Sequence, residues 1–214
     1  MPRQLPRFDK ELLAEARMAH SVILSGEQSK ILNHGDWTPT KIEYLYELAY
    51  LRLFSAWETT IESVFLRMMC GHSTRLGRTE VLNSGSYYRS LLDAEMAVLA
   101  GRRYVLWHDP GQIITRCQTH FRRRRKSAAP ILEAIISSHQ SRLNAWAAIR
   151  HRIVHEQHDA RVRFDMASTM FAGRTYPASR PGKFLKDFDT SLTPPKRWIE
   201  IAIIELTGLT RQMV

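Results

Sequence analysis

The chain has 214 residues, 44% hydrophobic and 24% charged, which suits one globular domain with a core and excludes a disordered or fibrous chain. The net charge is +10, and its placement is uneven: 13 Lys+Arg against 12 Asp+Glu up to Trp107, then 18 against 9 from His108 onward. A one-sided positive field favours a polyanionic partner, nucleic acid before acidic lipid.

The amino-terminal MPRQLPRFDK has no apolar h-region, so a cytoplasmic protein is expected. No run approaches the ~18 apolar residues of a membrane span, so no membrane partner is expected. Cys70 and Cys117 lie far apart without C-x-x-C spacing and are expected as reduced thiols.

The elements read as helices almost throughout. Asp9 is expected to cap a first helix through ELLAEARMAHSVIL, ending near Gly26. Thr38-Pro39 is a cap followed by proline at the first helical position. The helix it opens runs about thirty residues to a stop at Gly71. On it Tyr44, Leu48, Leu51, Ser55, Glu58 and Glu62 share one side, while Leu45, Leu53, Trp57, Val64 and Met68 form the apolar remainder. Residues 72–88 read as a loop. Ser90 with Asp93 caps LLDAEMAVLA, stopped at Gly101, and RRYVLW is expected to be briefly extended. Asp109-Pro110 opens GQIITRCQTHF, and Pro130 starts ILEAIISS. HQSRLNAWAAIRHRIVH follows, with HDARVRF continuing or restarting it. Residues 172–195 read as an irregular connection, and the amphipathic helix of 196–213 can pack back across the others. No repeat and no hairpin is expected. The fold class is an all-α bundle in a single domain spanning 1–214, its core about 38–170.

The chemistry concentrates in RHRIVH, Arg150 to His155. Helical spacing makes Leu143, Trp146, Ile149 and Ile153 a core stripe. His151, His155 and His158 then fall at i, i+4 and i+7 on another face, with Arg150 beside them. A cation next to an imidazole suits phosphodiester cleavage. A histidine near its ordinary pKa can take a proton from a ribose 2′-hydroxyl or give one to the leaving 5′-oxygen. A neighbouring guanidinium can bind the phosphate and stabilise the charge of the transition state. RNA supplies its own nucleophile, so this chemistry needs no metal and no cofactor.

Arg150-x4-His155 resembles the R-x4–6-H signature of the HEPN superfamily, all-α domains that include many metal-independent ribonucleases. Where its commonest form reads R-N-x-x-x-H, this chain has His151. LNAWAAI before the motif and the long helix carrying FSAWETTIESVF resemble the same pattern, over roughly residues 40–165. The AWE there resembles the acidic position of ribonuclease-type families from bacterial conflict systems and points to Glu58. The resemblance implies a HEPN-like bundle with a long central helix and a carboxy-terminal packing helix. It implies an endoribonuclease of the toxin or phage-defence kind, leaving a 2′,3′-cyclic phosphate and a 5′-hydroxyl. The assigned roles are His155 as general acid/base, Arg150 as phosphate and transition-state binder, His151 as polar support or second proton carrier, and Glu58 as an orienting residue. A homodimer is implied, the motif helices meeting across a two-fold axis, with an antitoxin or defence-system protein as a further partner. Family members silenced by nucleotidylation carry R-x4-H-x-Y; Gln157 stands at that tyrosine position.

The bland alternative for RHRIVHEQH is a solvated helix end whose cations complement the helix dipole. Metal binding by the three histidines is another, although HEQH is one residue short of H-E-x-x-H and no fourth ligand is evident. The run Arg122, Arg123, Arg124, Arg125, Lys126 is expected to contact RNA phosphates, with Arg152 joining it. Trp107 and Phe121 could stack on bases or belong to the core. There is no phosphate-binding G-x-x-x-x-G-K-[ST], no dinucleotide glycine fingerprint and no G-x-S-x-G elbow. The rival function is a non-catalytic HEPN-like module that binds nucleic acid or protein in a toxin–antitoxin-type operon.

Overall fold

The computed structural model describes residues 3–123 and 129–214. The architecture is all-α: α1 (Phe8–Ile31), α2 (Pro39–Met69), α3 (Leu91–Leu99), α4 (Pro110–His120), α5 (Ile131–Ser138), α6 (Gln140–Val154), α7 (His158–Ala172), α8 (Pro181–Lys186) and α9 (Trp198–Met213). Strands β1 (Phe188–Asp189) and β2 (Lys196–Arg197) pair antiparallel, Phe188 opposite Arg197 and Asp189 opposite Lys196. This short hairpin and the helix α8 are a correction to the irregular connection expected at 172–195. No helix among the described residues is long and apolar enough to cross a membrane.

Local chemistry explains several helix ends. Thr38 Oγ1 accepts the Lys41 N–H at 3.2 Å, Ser90 Oγ accepts that of Asp93 at 3.1 Å, and Asp109 Oδ1 accepts that of Gln112 at 3.2 Å. Gly71 takes φ +80° beyond the end of α2, a conformation that suits glycine. Two expectations fail at α1. Asp9 lies inside the helix, held by Arg7 Nε at 3.1 Å, and Gly26 is interior. A side chain at Gly26 would collide with Leu45, so this glycine serves helix packing and not helix termination.

The chain forms two compact units. The first holds the described residues of Met1–Glu11, Trp57–Leu143 and Gly208–Val214. Its core gathers Phe65 with Trp107 and Phe121, ring centroids 5.3 and 5.0 Å away. Trp107 and Phe121 are both buried, which makes them core aromatics and removes them as base-stacking platforms. α4 packs on α5, and the buried Glu133 accepts Gln118 Nε2 at 2.9 Å and Arg123 Nη2 at 2.8 Å.

The second unit holds Leu12–Ala56 and Asn144–Thr207. Trp146 is its centre, buried against Phe171 at 4.3 Å between centroids, with Nε1 donating to Glu205 at 2.8 Å. Tyr50 Oη donates to the Trp146 carbonyl at 2.7 Å, and Phe184 stacks on Trp198 at 5.3 Å. Leu143, Trp146 and Ile149 are buried as the helical stripe requires, and Ile153 is half-buried. On α2 the inward residues of this unit are Ile42, Tyr46, Tyr50 and Leu53, while Tyr44 and Leu48 are exposed.

Candidate active site

α6 stops at Val154, and α7 restarts at His158. The chain bends at 157 between them, an elbow that the motif leads into. Arg150, His151 and Arg152 lie in the last turns of α6; His155 lies one residue past it, its N–H still bonded to the His151 carbonyl at 2.9 Å. The i, i+4 spacing therefore survives for His151 and His155, whose imidazole centroids are 4.6 Å apart. His158 begins the next helix and does not continue that face. Among the described residues no group of three or more histidine, cysteine and acidic side chains is arranged to hold a metal ion.

Arg150 is half-buried, and its Nε meets no hydrogen-bond partner among the described residues. A buried donor left unmade costs on the order of 1–3 kcal/mol, more on a charged group. Burial holds the His151 imidazole below the ordinary histidine pKa. His155, Arg163 and Arg150 push in the same direction, and Asp159 opposes them. The last two α7 side chains in that set, Arg163 and Asp159, pair with each other at 3.0 Å. The unprotonated form of His151 is thus favoured, beside a second imidazole and a guanidinium. Such a set can accept a proton, donate one, and hold an anion.

Arg152 is engaged otherwise. Its Nε donates to the Ser179 carbonyl at 3.2 Å and its Nη1 to the His155 carbonyl at 3.0 Å. Ser179 Oγ in turn donates to Asp165, 2.9 Å from Oδ1. Ala178 and Ser179 both have positive φ, +57° and +47°, unusual for residues with side chains. Arg152 also bears electrostatically on Glu47, which accepts the Gly182 N–H at 2.9 Å and whose carboxyl is pushed up chiefly by burial. These contacts make Arg152 a structural brace, a role not foreseen in the sequence.

Glu58 belongs to the first unit, and its partner there is His108, Oε1 to Nδ1 3.1 Å, off the line of a well-formed hydrogen bond. One turn on, Glu62 Oε1 accepts Trp107 Nε1 at 3.0 Å. The two glutamates anchor residues 107–108 to α2. Of the basic run, Arg122 is exposed, and Arg123 is tied to Glu133. Arg124, Arg125 and Lys126 lie outside the described residues.

Sequence reading missed Asp159, Arg163, Ser179 and Asp165 as neighbours of the motif. The i, i+4 spacing of Asp159 and Arg163 was the available signal for one pair; nothing local marks the other. Comparison of the chain with protein families, curated proteins and solved structures finds no match.

Proposed function

We propose that the protein is a metal-independent endoribonuclease of HEPN-like character, acting in the cytoplasm as a toxin or phage-defence effector. The observation that carries this reading is the buried, unpartnered Arg150 Nε beside two imidazoles 4.6 Å apart. The half-buried Arg150 guanidinium would meet a phosphate through its terminal nitrogens, its Nε being enclosed, and the imidazoles supply the base and acid that cleavage through the 2′-hydroxyl requires. His151, kept unprotonated by burial, takes the 2′-hydroxyl proton. His155 protonates the leaving 5′-oxygen, and Arg150 stabilises the pentacoordinate phosphorane. The products are a 2′,3′-cyclic phosphate and a 5′-hydroxyl.

The working form is a homodimer. Val162, Met166 and Met170, spaced four apart along α7 just beyond the elbow, are all exposed and offer an apolar stripe to a second copy. An antitoxin or defence-system protein is a further partner in this reading. The orienting role expected of Glu58 stays a proposal; its carboxylate pairs with His108 within the first unit.

The test is cleavage of end-labelled RNA by wild type and His155→Ala, with EDTA present and with 2′-deoxy substitution at the scissile sugar. Cleavage that persists in EDTA, stops at the 2′-deoxy position and is lost in folded His155→Ala is expected. Full activity in folded His155→Ala overturns the assignment, and so does zinc-dependent recovery after chelation. Wild type that binds RNA without cutting it would place the chain with non-catalytic RNA-binding modules.

A further inference from the structure

A cluster of arginines in the first unit is unexplained by the fold. Residues Thr74 to Arg78 close on themselves. Thr74 N–H donates to the Arg78 carbonyl at 2.8 Å, Gly77 N–H to the Thr74 carbonyl at 2.9 Å, and Arg78 N–H to Thr74 Oγ1 at 3.3 Å. Gly77 takes φ +73° to complete the turn. Arg75 and Arg78, from this turn, and Arg211, from the last turn of α9, line one cavity of about 370 Å³ together with Leu76, Ile131 and Val214, whose carboxylate makes no ion pair with them.

Seven other arginines (Arg7, Arg52, Arg123, Arg163, Arg174, Arg180 and Arg197) each pair with a carboxylate. Among the described residues, none of the three cavity arginines has a side-chain hydrogen bond or ion pair. Asp9 feels the charge of Arg75 but is already held by Arg7 at 3.1 Å. Three unpaired guanidiniums on one cavity repel each other, and folding gains nothing from bringing them together. Their planar forks match the oxygens of a phosphate. The volume is at the low end of ligand pockets, roughly 300–1,000 Å³, and exceeds what a bare phosphate needs, leaving room for an attached sugar.

The cavity is also continuous in structure with the start of the basic run. Glu80 Oε1 accepts the Ile131 N–H at 2.7 Å, and the Val81 carbonyl accepts the Arg122 N–H at 2.6 Å. Residues 78–81 thereby join the cavity wall to Arg122. The geometry points to Arg75, Arg78 and Arg211 as a binding site for a backbone phosphate of single-stranded RNA, separate from the Arg150–His155 elbow. The choice of RNA rests on the ribonuclease reading above; the phosphate chemistry rests on the arginines alone.

The test is titration of a labelled 20-nucleotide 2′-O-methyl RNA, which the proposed chemistry cannot cut, at several salt concentrations. Wild type is compared with Arg75→Gln, Arg78→Gln and Arg211→Gln singly and combined. All three side chains are exposed, so the variants should fold. The slope of log K against log salt should shrink by about 0.7 for each lost contact and by about 2 in the triple variant. A thermal-shift titration with pyrophosphate runs in parallel. An unchanged RNA slope, with pyrophosphate stabilising wild type but not the triple variant, overturns RNA as the source of the phosphate. An unchanged slope with no stabilisation overturns the site. A reduced slope supports the site even in a protein that cuts no RNA, a result that would sink the ribonuclease reading alone.

Discussion

His151 and His155 are joined twice, through a backbone hydrogen bond of 2.9 Å and through rings whose centroids lie 4.6 Å apart. Two imidazoles at that distance resist carrying two positive charges together, and the proposed reaction uses one as base and the other as acid.

This division is measurable by NMR titration of the imidazole protons. His151 should titrate below the ordinary histidine value, because burial, His155, Arg163 and Arg150 all disfavour its charge. Arg163→Gln should raise its pKa, and Asp159→Asn should lower it further. Movement in the opposite directions would show that the α7 side chains do not face His151 in solution.

Arg150→Met should separate activity from stability. The apolar replacement removes a buried donor that lacks a partner, so the unfolding free energy should hold or rise by about 1 kcal/mol. Cleavage should fall by roughly 10²–10³-fold, as for loss of a transition-state donor. A large drop in stability by denaturant titration would mean the guanidinium has a structural partner.

The cap residues show why much of this fold was legible. Thr38, Ser90 and Asp109 satisfy donors three residues away, so the chemistry that starts each helix is written next to it. Gly26 and Gly182 carry no such local meaning; each is small because a distant segment passes close by. The motif was legible in the same measure. Spacing brought His151 to His155, but the end of α6 put His158 on another helix. Arg152 looked like a surface cation because its acceptor, the Ser179 carbonyl, lies 27 residues on, and Glu58 meets His108 across a still longer gap in sequence.

Gly182→Ala should be strongly destabilising. Its added carbon would meet the Glu43 backbone carbonyl, which cannot swing aside as a side chain can. Overpacking of this kind costs on the order of 1–3 kcal/mol. A shift in the thermal midpoint smaller than that of a half-buried control, Gly208→Ala, whose added carbon meets nothing, would refute it.

Acid should weaken the fold through His120 as well as His151. Burial first, then Arg116, holds the His120 pKa down. The unfolded chain therefore binds more protons below about pH 6.5, and stability declines as pH falls from there toward the folded-state value. Above that window the two histidines contribute no slope. Glu47 has the opposite sign, its carboxyl raised by burial, so the informative quantity is the difference between wild type and His120→Gln. That difference should narrow or reverse in favour of the variant between pH 7 and pH 5.5; a constant gap in thermal midpoint would refute the assignment.

Arg152 grips the carbonyls of both His155 and Ser179, and Ser179 is fixed by Asp165 and by two successive left-handed residues. The aim of the His155 imidazole is therefore set partly from a stretch that holds no acid, base or phosphate ligand in the proposed reaction. The six-residue motif is not portable. Grafted onto another helix of equal length and polarity, it would bring the functional groups without the backbone bearings that point them.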